Sequence, residues 1–160
     1  GRTVEDSGHL IPEGGFDMVP QLCCDGCLLT GDAAMLCINL GYQVRGMDYA
    51  IAAGRMAAEA ALEALDAGDV SAARLATYRA KLEDSFVLKD LAAYRGFPAF
   101  MEGTPRIFDG YPQMAADIMR GLFTVDGSPV RPLKGTVMGP VKGMGVLNLL
   151  KDARKGMKVL

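Results

Sequence analysis

Two short segments place chemically useful groups about a dozen residues apart. The first, Gly31-Asp32-Ala33-Ala34, directly follows the apolar run CLLT at 27–30. Such a run, bounded by turn residues, predicts a fully buried strand of a parallel or mixed sheet. A carboxylate at the carboxyl end of a strand lies where open α/β sheets bind ligands. We therefore expect Asp32 to accept hydrogen bonds from sugar or ribityl hydroxyls, with Gly31 and the two alanines leaving room for the ligand.

The second segment is the start of a long helix at Arg45-Gly46-Met47-Asp48. The free N–H groups and the positive dipole end of a helix N-terminus favour a developing negative charge. A reduced flavin carries such a charge on its N1/C2=O edge, so the two segments together suit flavin chemistry. Spacing alone explains Asp32 equally well as the N-cap of a helix.

These residues carry a resemblance. The run CLLTGDAAMLCINLGYQVRGMDYAIAAGRMAAEAALEAL, with HLIPEGG upstream, resembles the second flavin-binding motif of the flavoprotein family that contains the FixC proteins. That family includes electron transfer flavoprotein–quinone oxidoreductases, and geranylgeranyl reductases are a related branch. GDAA alone is shared by many flavin hydroxylases, whereas GDAA followed by NLGYQVRGMD is much more specific.

The resemblance implies FAD as the cofactor, bound in a glutathione-reductase-like FAD fold. Asp32 would bind the ribityl chain, and Gly31 would let it approach. The resemblance places the other cofactor-binding residues along the flavin and the pyrophosphate: Ala33 and Ala34 beside the pyrophosphate, and Gly41, Arg45, Gly46 and Met47 against the isoalloxazine. His9 and Glu13 would lie near the flavin, but without an assigned role.

The function that the resemblance implies is that of an FAD-dependent oxidoreductase. It would pass electrons from an electron transfer flavoprotein of the FixA/FixB type to quinone or to a ferredoxin-like protein, in a setting such as nitrogen fixation. No catalytic acid–base residue is expected, because the flavin carries the chemistry. Two alternatives stay open. One is an isoprenoid-lipid reductase with a lipid tunnel lined by residues 97–108, and the other is a non-enzymatic helical interaction module.

Relatives of this kind begin with a βαβ unit bearing G-x-G-x-x-G, and this chain has no such motif and no initial Met. We therefore expect the C-terminal portion of a longer protein, which holds about half of a flavin site and is inactive by itself. The apolar face that would meet the other half predicts self-association of this chain.

The four cysteines do not form a recognisable metal set. Cys24-Asp25-Gly26-Cys27 is one C-x-x-C, and His9 is the single histidine, whereas a zinc site usually needs two ligand pairs. The simplest interpretation is that Cys23, Cys24, Cys27 and Cys37 are small buried side chains around a strand, in a reducing compartment.

Composition indicates a globular protein of 160 residues, with 50% hydrophobic and 22% charged residues. A net charge of −2 argues against a nucleic-acid partner. The charge is uneven, since residues 1–48 carry two basic and seven acidic side chains and residues 124–160 carry seven basic and two acidic ones. The basic end could meet an acidic partner or lipid headgroups, or it could simply be a solvated face. We expect a cytoplasmic protein, with peripheral contact at the inner membrane left open.

The pattern predicts an α+β chain that is mostly helical with a few short strands. It divides into residues 1–68, the end of an FAD-binding domain, and residues 69–160, a helical region. Residues 9–15 indicate a strand end, residues 39–46 indicate a loop, and residues 128–145 indicate a loop or short strands. The predicted helices are Met47–Ala67 ended by Gly68, Ala72 to about Arg95 capped by Asp69 or Ser71, Pro112 to Phe123, and Val146 to Arg154. The predicted buried positions are Leu75, Tyr78, Leu82 and Phe86 in the second helix, and Met114, Ile118 and Leu122 in the third.

Overall fold

A computed structural model describes residues 1–5, 8 and 10–159, so His9 lies outside the described residues. The chain is mostly helical with a few short strands, as predicted. It forms two compact units, Gly1–Pro98 and Ala99–Leu160. The boundary predicted from the sequence, between an FAD-binding region and a helical region, lies after residue 68. Within the described ranges, no helix is both long enough and apolar enough to cross a membrane.

The first unit contains two antiparallel hairpins of very short strands. Strand β1 (Cys23–Cys24) pairs with β2 (Cys27–Leu28), and β3 (Ile38–Asn39) pairs with β4 (Val44–Arg45). The prediction of a buried strand in a parallel or mixed sheet at 27–30 is therefore wrong. Its pairing is local and antiparallel, and Cys27 is exposed.

Two other segments also differ from the prediction. Residues 39–46, predicted as a loop, hold most of the β3–β4 hairpin. Residues 10–15 show no strand; a single 3₁₀ turn, Phe16–Met18, follows them. Proline and paired glycines interrupt this segment and disfavour a regular ladder.

Helix α1, Met47–Asp66, begins and ends where the alanine-rich composition predicts. Gly68 follows it in the left-handed conformation that ends many helices (φ +66). The single helix predicted over 72–95 is wrong. The structure has three shorter helices in its place: α2, Ala72–Leu75, α3, Thr77–Asp84, and α4, Phe86–Ala93.

Ser85 explains the last of these breaks. Its backbone is extended, and its hydroxyl accepts a hydrogen bond from the Val87 N–H, which caps α4. Because α4 starts anew after this break, its buried face no longer continues the spacing of the preceding helix. Val87 is therefore buried, and Phe86, predicted to be buried, is 44% exposed. Ser71 caps α2 by accepting from the Arg74 N–H, as predicted.

The core of the first unit lies between α1 and the helices that follow it. The buried face of α1 is rich in small side chains, so the neighbouring elements approach its backbone closely. Its buried residues are Tyr49, Ala53, Met56, Ala57, Ala60 and Ala64. The facing helices contribute Leu75, Tyr78, Leu82, Val87, Leu88 and Leu91.

The second unit packs short helices in sequence. They are α5, Phe97–Glu102, which begins just before the boundary, α6, Gly110–Phe123, α7, Leu133–Met144, and α8, Val146–Gly156, with a 3₁₀ turn at Pro105–Ile107. The prediction of a loop or short strands over 128–145 is wrong, because α7 forms there and packs on α6 despite its glycines and Pro140. A Cβ at Gly121 would lie 2.7 Å from Thr136 Cγ2, so the glycine permits this approach. The predicted inward residues of α6 are at best half-buried, and Leu122 is 41% exposed.

Candidate functional site

The segment Gly31–Ala34 folds as a 3₁₀ turn rather than as the end of a sheet strand. Gly31 has φ +61, and Met35, which ends the turn, has φ +56. The Leu36 N–H donates to the Gly31 carbonyl at 3.2 Å and closes the turn. Thr30 occupies the N-cap position, so the alternative interpretation of Asp32 as an N-cap is wrong. Asp32 is an exposed carboxylate on this turn.

The turn lies against the first turn of α1. A Cβ at Gly31 would be 3.5 Å from the Ala50 Cβ, and a Cβ at Gly46 would be 3.4 Å from the Cys37 Sγ. Burial, with the charges of Glu13 and Asp32 nearby, raises the pKa of Cys37. The segment 31–37 therefore runs beside the N-terminus of α1, and the two predicted parts of the site are neighbours.

The N-terminus of α1 has no side-chain cap. Gly46 is the N-cap residue, and the first intrahelical bond runs from the Ala50 N–H to the Gly46 carbonyl at 2.7 Å. Within the described ranges, the amides of Met47 and Asp48 have no protein acceptor. Open amides at a helix start carry partial positive charge and can bind an anionic group.

Arg45 holds this helix start in place. Its Nε and Nη2 lie 2.8 and 2.6 Å from Asp48 Oδ2, and its Nη1 donates to Asp90 on α4. The guanidinium carbon stacks 4.5 Å from the centre of the Tyr49 ring. The Tyr49 hydroxyl donates to Asp90 at 3.1 Å, and burial and this carboxylate raise the pKa of Tyr49. Arg45 thus fixes α1 to α4 in the described structure.

The loop between β3 and β4 is ordered by a residue that sequence reasoning missed. Asn39 Oδ1 accepts from the Gly41 N–H at 2.8 Å, and Asn39 Nδ2 donates to both oxygens of Glu13 at 3.0 and 3.2 Å. Gly41 has φ +81, a conformation that favours glycine. The pattern Asn-x-Gly signals such a side-chain turn, but its pairing with Glu13 has no local signal.

Most of the candidate cofactor-binding residues are accessible. Four of them are exposed: Asp32, Ala33, Gly41 and Met47. Gly31, Arg45 and Gly46 are half-buried, and Ala34 is buried. Large apolar side chains beside them are also exposed: Tyr42 at 75%, Val44 at 57%, Met47 at 85% and Ile51 at 75%. A carboxylate, open amides and an apolar border are groups that fit a ligand with hydroxyls, an anionic edge and a flat ring.

The cysteines are divided between core and surface. Cys37 is buried, as predicted, but Cys24 and Cys27 are exposed and Cys23 is half-buried, so the interpretation of four buried thiols is wrong. Among the described residues, no three histidine, cysteine or acidic side chains are grouped so that they could hold a metal ion.

Comparison with known proteins identifies relatives of this chain. Residues 97–160 match the model of the ETF-QO/FixC family C-terminal domain. Over its full 160 residues the chain is 48% identical to the probable electron transfer flavoprotein-quinone oxidoreductase YdiS of Escherichia coli strain K12. It is 46% identical to Protein FixC of the same strain, and over 155 residues 39% identical to Protein FixC of Azorhizobium caulinodans.

The resemblance of the sequence to the electron transfer flavoprotein–quinone oxidoreductase/FixC family is therefore confirmed. It covers 37% of the length of the two Escherichia coli relatives and 35% of the Azorhizobium protein.

Proposed function

We propose that this chain supplies the ribityl and flavin side of an FAD site in an electron-transfer oxidoreductase. The observation that carries the proposal is the contact of the Gly31–Ala34 turn with the first turn of α1. It brings an exposed carboxylate and uncapped helix amides to one part of the first unit. Bound FAD would supply the electron transfer; Asp32 would accept hydrogen bonds from ribityl hydroxyls, and the amides at Met47 and Asp48 would stabilise negative charge on the flavin edge.

Arg45 has a positioning role in this proposal. Its ion pairs to Asp48 and Asp90 keep the helix start rigid, so the amides stay preorganised toward the charge. Gly41 and Asn39 shape the loop that would border the ring. Because the chain spans little more than a third of its relatives, the other FAD contacts would come from the longer protein.

The electron route is proposed from the relatives. The name of the relative YdiS includes electron transfer flavoprotein and quinone, which supports these as donor and acceptor for the protein that contains this chain. A ferredoxin-like acceptor, a role in nitrogen fixation, and a cytoplasmic location with peripheral membrane contact stay predictions. The isoprenoid alternative depends on residues 97–108. Since that whole segment lies within residues 97–160, which match the ETF-QO/FixC domain model, we favour electron transfer.

The cofactor proposal is tested in the complete protein by substitutions at Asp32. Asp32→Ala should weaken FAD binding about tenfold or more, because a hydrogen bond to a charged group contributes about 1.5–3 kcal/mol. Asp32→Asn, which keeps an acceptor oxygen, should weaken it less. Asp66→Ala, which removes an exposed carboxylate at the other end of α1, is the matched control. FAD affinity is measured by the quenching of flavin fluorescence.

Two results would overturn the cofactor proposal: a complete protein with no flavin spectrum after reconstitution with FAD, or unchanged affinity in Asp32→Ala. The second result, with function intact, would favour the interaction module. The route is tested separately, by supplying reduced electron transfer flavoprotein and following quinone reduction. Reduction of prenyl lipids instead of quinone would establish the isoprenoid alternative.

A further inference from the structure

The β1–β2 hairpin places two exposed thiols opposite one another. Cys24 and Cys27 are paired residues of the antiparallel ladder, on either side of the Asp25-Gly26 turn. Facing residues of such a ladder have Cα atoms about 4.5–5.5 Å apart, which lies within the range that a disulfide spans. Both sulfurs are free thiols in the described structure.

The turn of the hairpin is held by hydrogen bonds between its two residues and the segment that leads into α2. The Gly26 N–H donates to the Val70 carbonyl at 2.8 Å, and Asp25 Oδ1 accepts from the Ala72 N–H at 2.7 Å. A further ladder bond runs from the Leu29 N–H to the Leu22 carbonyl at 2.9 Å. Because the backbone already holds the two cysteines opposite one another, formation of a Cys24–Cys27 disulfide needs little more than rotation of the two side chains.

The other two cysteines are placed differently. Cys23 precedes Cys24 on the same strand, so it points to the opposite face. There its sulfur lies 3.8 Å from the Ala72 carbonyl, on the first residue of α2. Cys37 is buried in the core. Cys24 and Cys27 are therefore the accessible facing pair.

We propose that Cys24 and Cys27 form a thiol–disulfide exchange site that reacts with small-molecule disulfides such as glutathione disulfide. One cysteine thiolate attacks a glutathione sulfur, the S–S bond breaks, and one glutathione thiolate leaves and takes up a proton. The second cysteine, as its thiolate, attacks the protein-side sulfur of the mixed disulfide and expels the second glutathione. The two cysteines lose two electrons and two protons, and glutathione disulfide is reduced to two molecules of glutathione.

The surroundings of the pair determine the access to its sulfurs and the pH dependence of the exchange. Cys27 lines a mostly apolar cavity of about 320 Å³ between β2, α1 and α2, which leaves space beside its sulfur. Loss of solvation and the neighbouring Cys27 raise the pKa of Cys24. Since the thiolate is the reacting form, exchange through Cys24 should accelerate as the pH rises above neutral. The site is independent of the proposed FAD function.

The test uses the reduced 160-residue chain in glutathione buffers of increasing disulfide fraction. Samples are quenched with acid and alkylated, and the peptides are identified by mass spectrometry. The expected product is an intramolecular Cys24–Cys27 disulfide that dithiothreitol reverses. Cys24→Ser should stop at a glutathione adduct on Cys27, and Cys27→Ser at an adduct on Cys24. Cys23→Ser is the matched control and should form the disulfide like the unchanged chain.

Unfolding the chain provides the second arm. In concentrated urea the fixed turn is lost, so the equilibrium constant for closing the Cys24–Cys27 bond should fall about tenfold or more. The proposal is overturned if glutathione disulfide yields no Cys24–Cys27 bond, if Cys23 is the bonded partner, or if the equilibrium constant is the same in urea.

Discussion

Asp152 on α8 is an almost fully buried carboxylate, 3% exposed, and two side chains donate hydrogen bonds to it. Arg106 Nε and Nη2 donate to its two oxygens at 2.8 and 3.0 Å, and the Tyr111 hydroxyl donates at 2.6 Å. These donors, with Arg106 the stronger influence, lower the pKa of Asp152 to about 2. The cluster links α8 to the 3₁₀ turn at Pro105–Ile107 and to the first turn of α6, within the second unit.

This cluster predicts a specific loss of stability in acid. The pKa of Asp152 is lower in the folded than in the unfolded chain, so its contribution is fully present above about pH 4 and disappears as the pH falls toward about 2. The full contribution is about 2 kcal/mol, because one pKa unit corresponds to about 1.4 kcal/mol. Asp152→Asn should remove about that much at neutral pH and flatten the acid dependence, measured by urea unfolding across pH.

Asp117→Asn is the control for Asp152, since Asp117 is a more exposed carboxylate paired with Arg120 on the surface of α6. Exposed pairs contribute little, so its unfolding free energy should change by less than about 0.5 kcal/mol. Equal effects of the two substitutions would contradict the role assigned to Asp152.

Asn39 makes a second prediction at this scale. Asn39→Ala removes the bonds to Gly41 and Glu13 and should cost about 1 kcal/mol, with faster hydrogen exchange at the Gly41 amide. Asn39→Asp keeps the acceptor for Gly41 but faces Glu13 with a like charge, and Glu13→Gln in that background should restore stability. Unchanged exchange in Asn39→Ala would show that the loop does not depend on this side chain.

At this scale the sequence indicated the residues of the turn and of the helix start, because Gly-Asp and the helix signals are local. It could not show that Arg45 is held by Asp90 or that Asn39 bonds Glu13, since these partners are 45 and 26 residues apart. The exposure of Cys24 and Cys27 was missed for a related reason. Burial depends on which elements cover a strand, and among the described residues β1 and β2 form a sheet of two strands, with Cys24 and Cys27 on its open side.

Among the elements, α1 was predicted to within a residue because nearly all its positions favour a helix and Gly68 ends it. Helices α2–α4 were merged because their apolar spacing is continuous, and the cap at Ser85 was not recognised. Helix α7 was missed because the prediction relied on the helix propensities of its residues, which predict helices only weakly. Its glycines and proline disfavour a helix, whereas packing on α6 stabilises one.

The alanine face of α1 predicts opposite effects at two positions. Ala60 is fully buried, so Ala60→Leu should overpack the core and cost about 1–3 kcal/mol. Gly54 lies in the same helix, and a Cβ added there would meet only open space, so Gly54→Ala should stabilise the chain by about 1 kcal/mol. Both are measured by urea unfolding. A destabilising Gly54→Ala would show that a neighbour approaches there.

At the scale of the whole chain, a group of large apolar side chains is exposed at one end of α1. Tyr42, Val44, Met47 and Ile51 are all more than half exposed around the start of α1. Contiguous apolar patches of this kind commonly mark interaction surfaces. Because the chain corresponds to 37% of the length of its Escherichia coli relatives, we expect the rest of the longer protein to cover this patch, and a second copy to do so in its absence.

Self-association of the 160-residue chain should therefore depend on this patch. Ile51→Lys should weaken the association at least tenfold in sedimentation experiments, because a charge would be placed against an apolar interface. Leu62→Lys is the matched control, since Leu62 is exposed further along the same helix. A chain that stays monomeric at all concentrations, or equal effects of the two lysines, would contradict the prediction.

The hydrogen-bonded turn at Asp25-Gly26 also affects the chemical degradation of the protein during storage. Asp-Gly sequences isomerise when the glycine nitrogen attacks the aspartate side chain. Here the Gly26 N–H is bonded to Val70 and the Asp25 carboxylate to Ala72, so both reacting groups are engaged. In Asp126-Gly127 the carboxylate accepts hydrogen bonds from the N–H and the hydroxyl of Ser128, in an exposed loop, and the described structure shows no acceptor for the Gly127 N–H. Damage during long storage should accordingly appear at Asp126 before Asp25 and leave the β1–β2 hairpin intact.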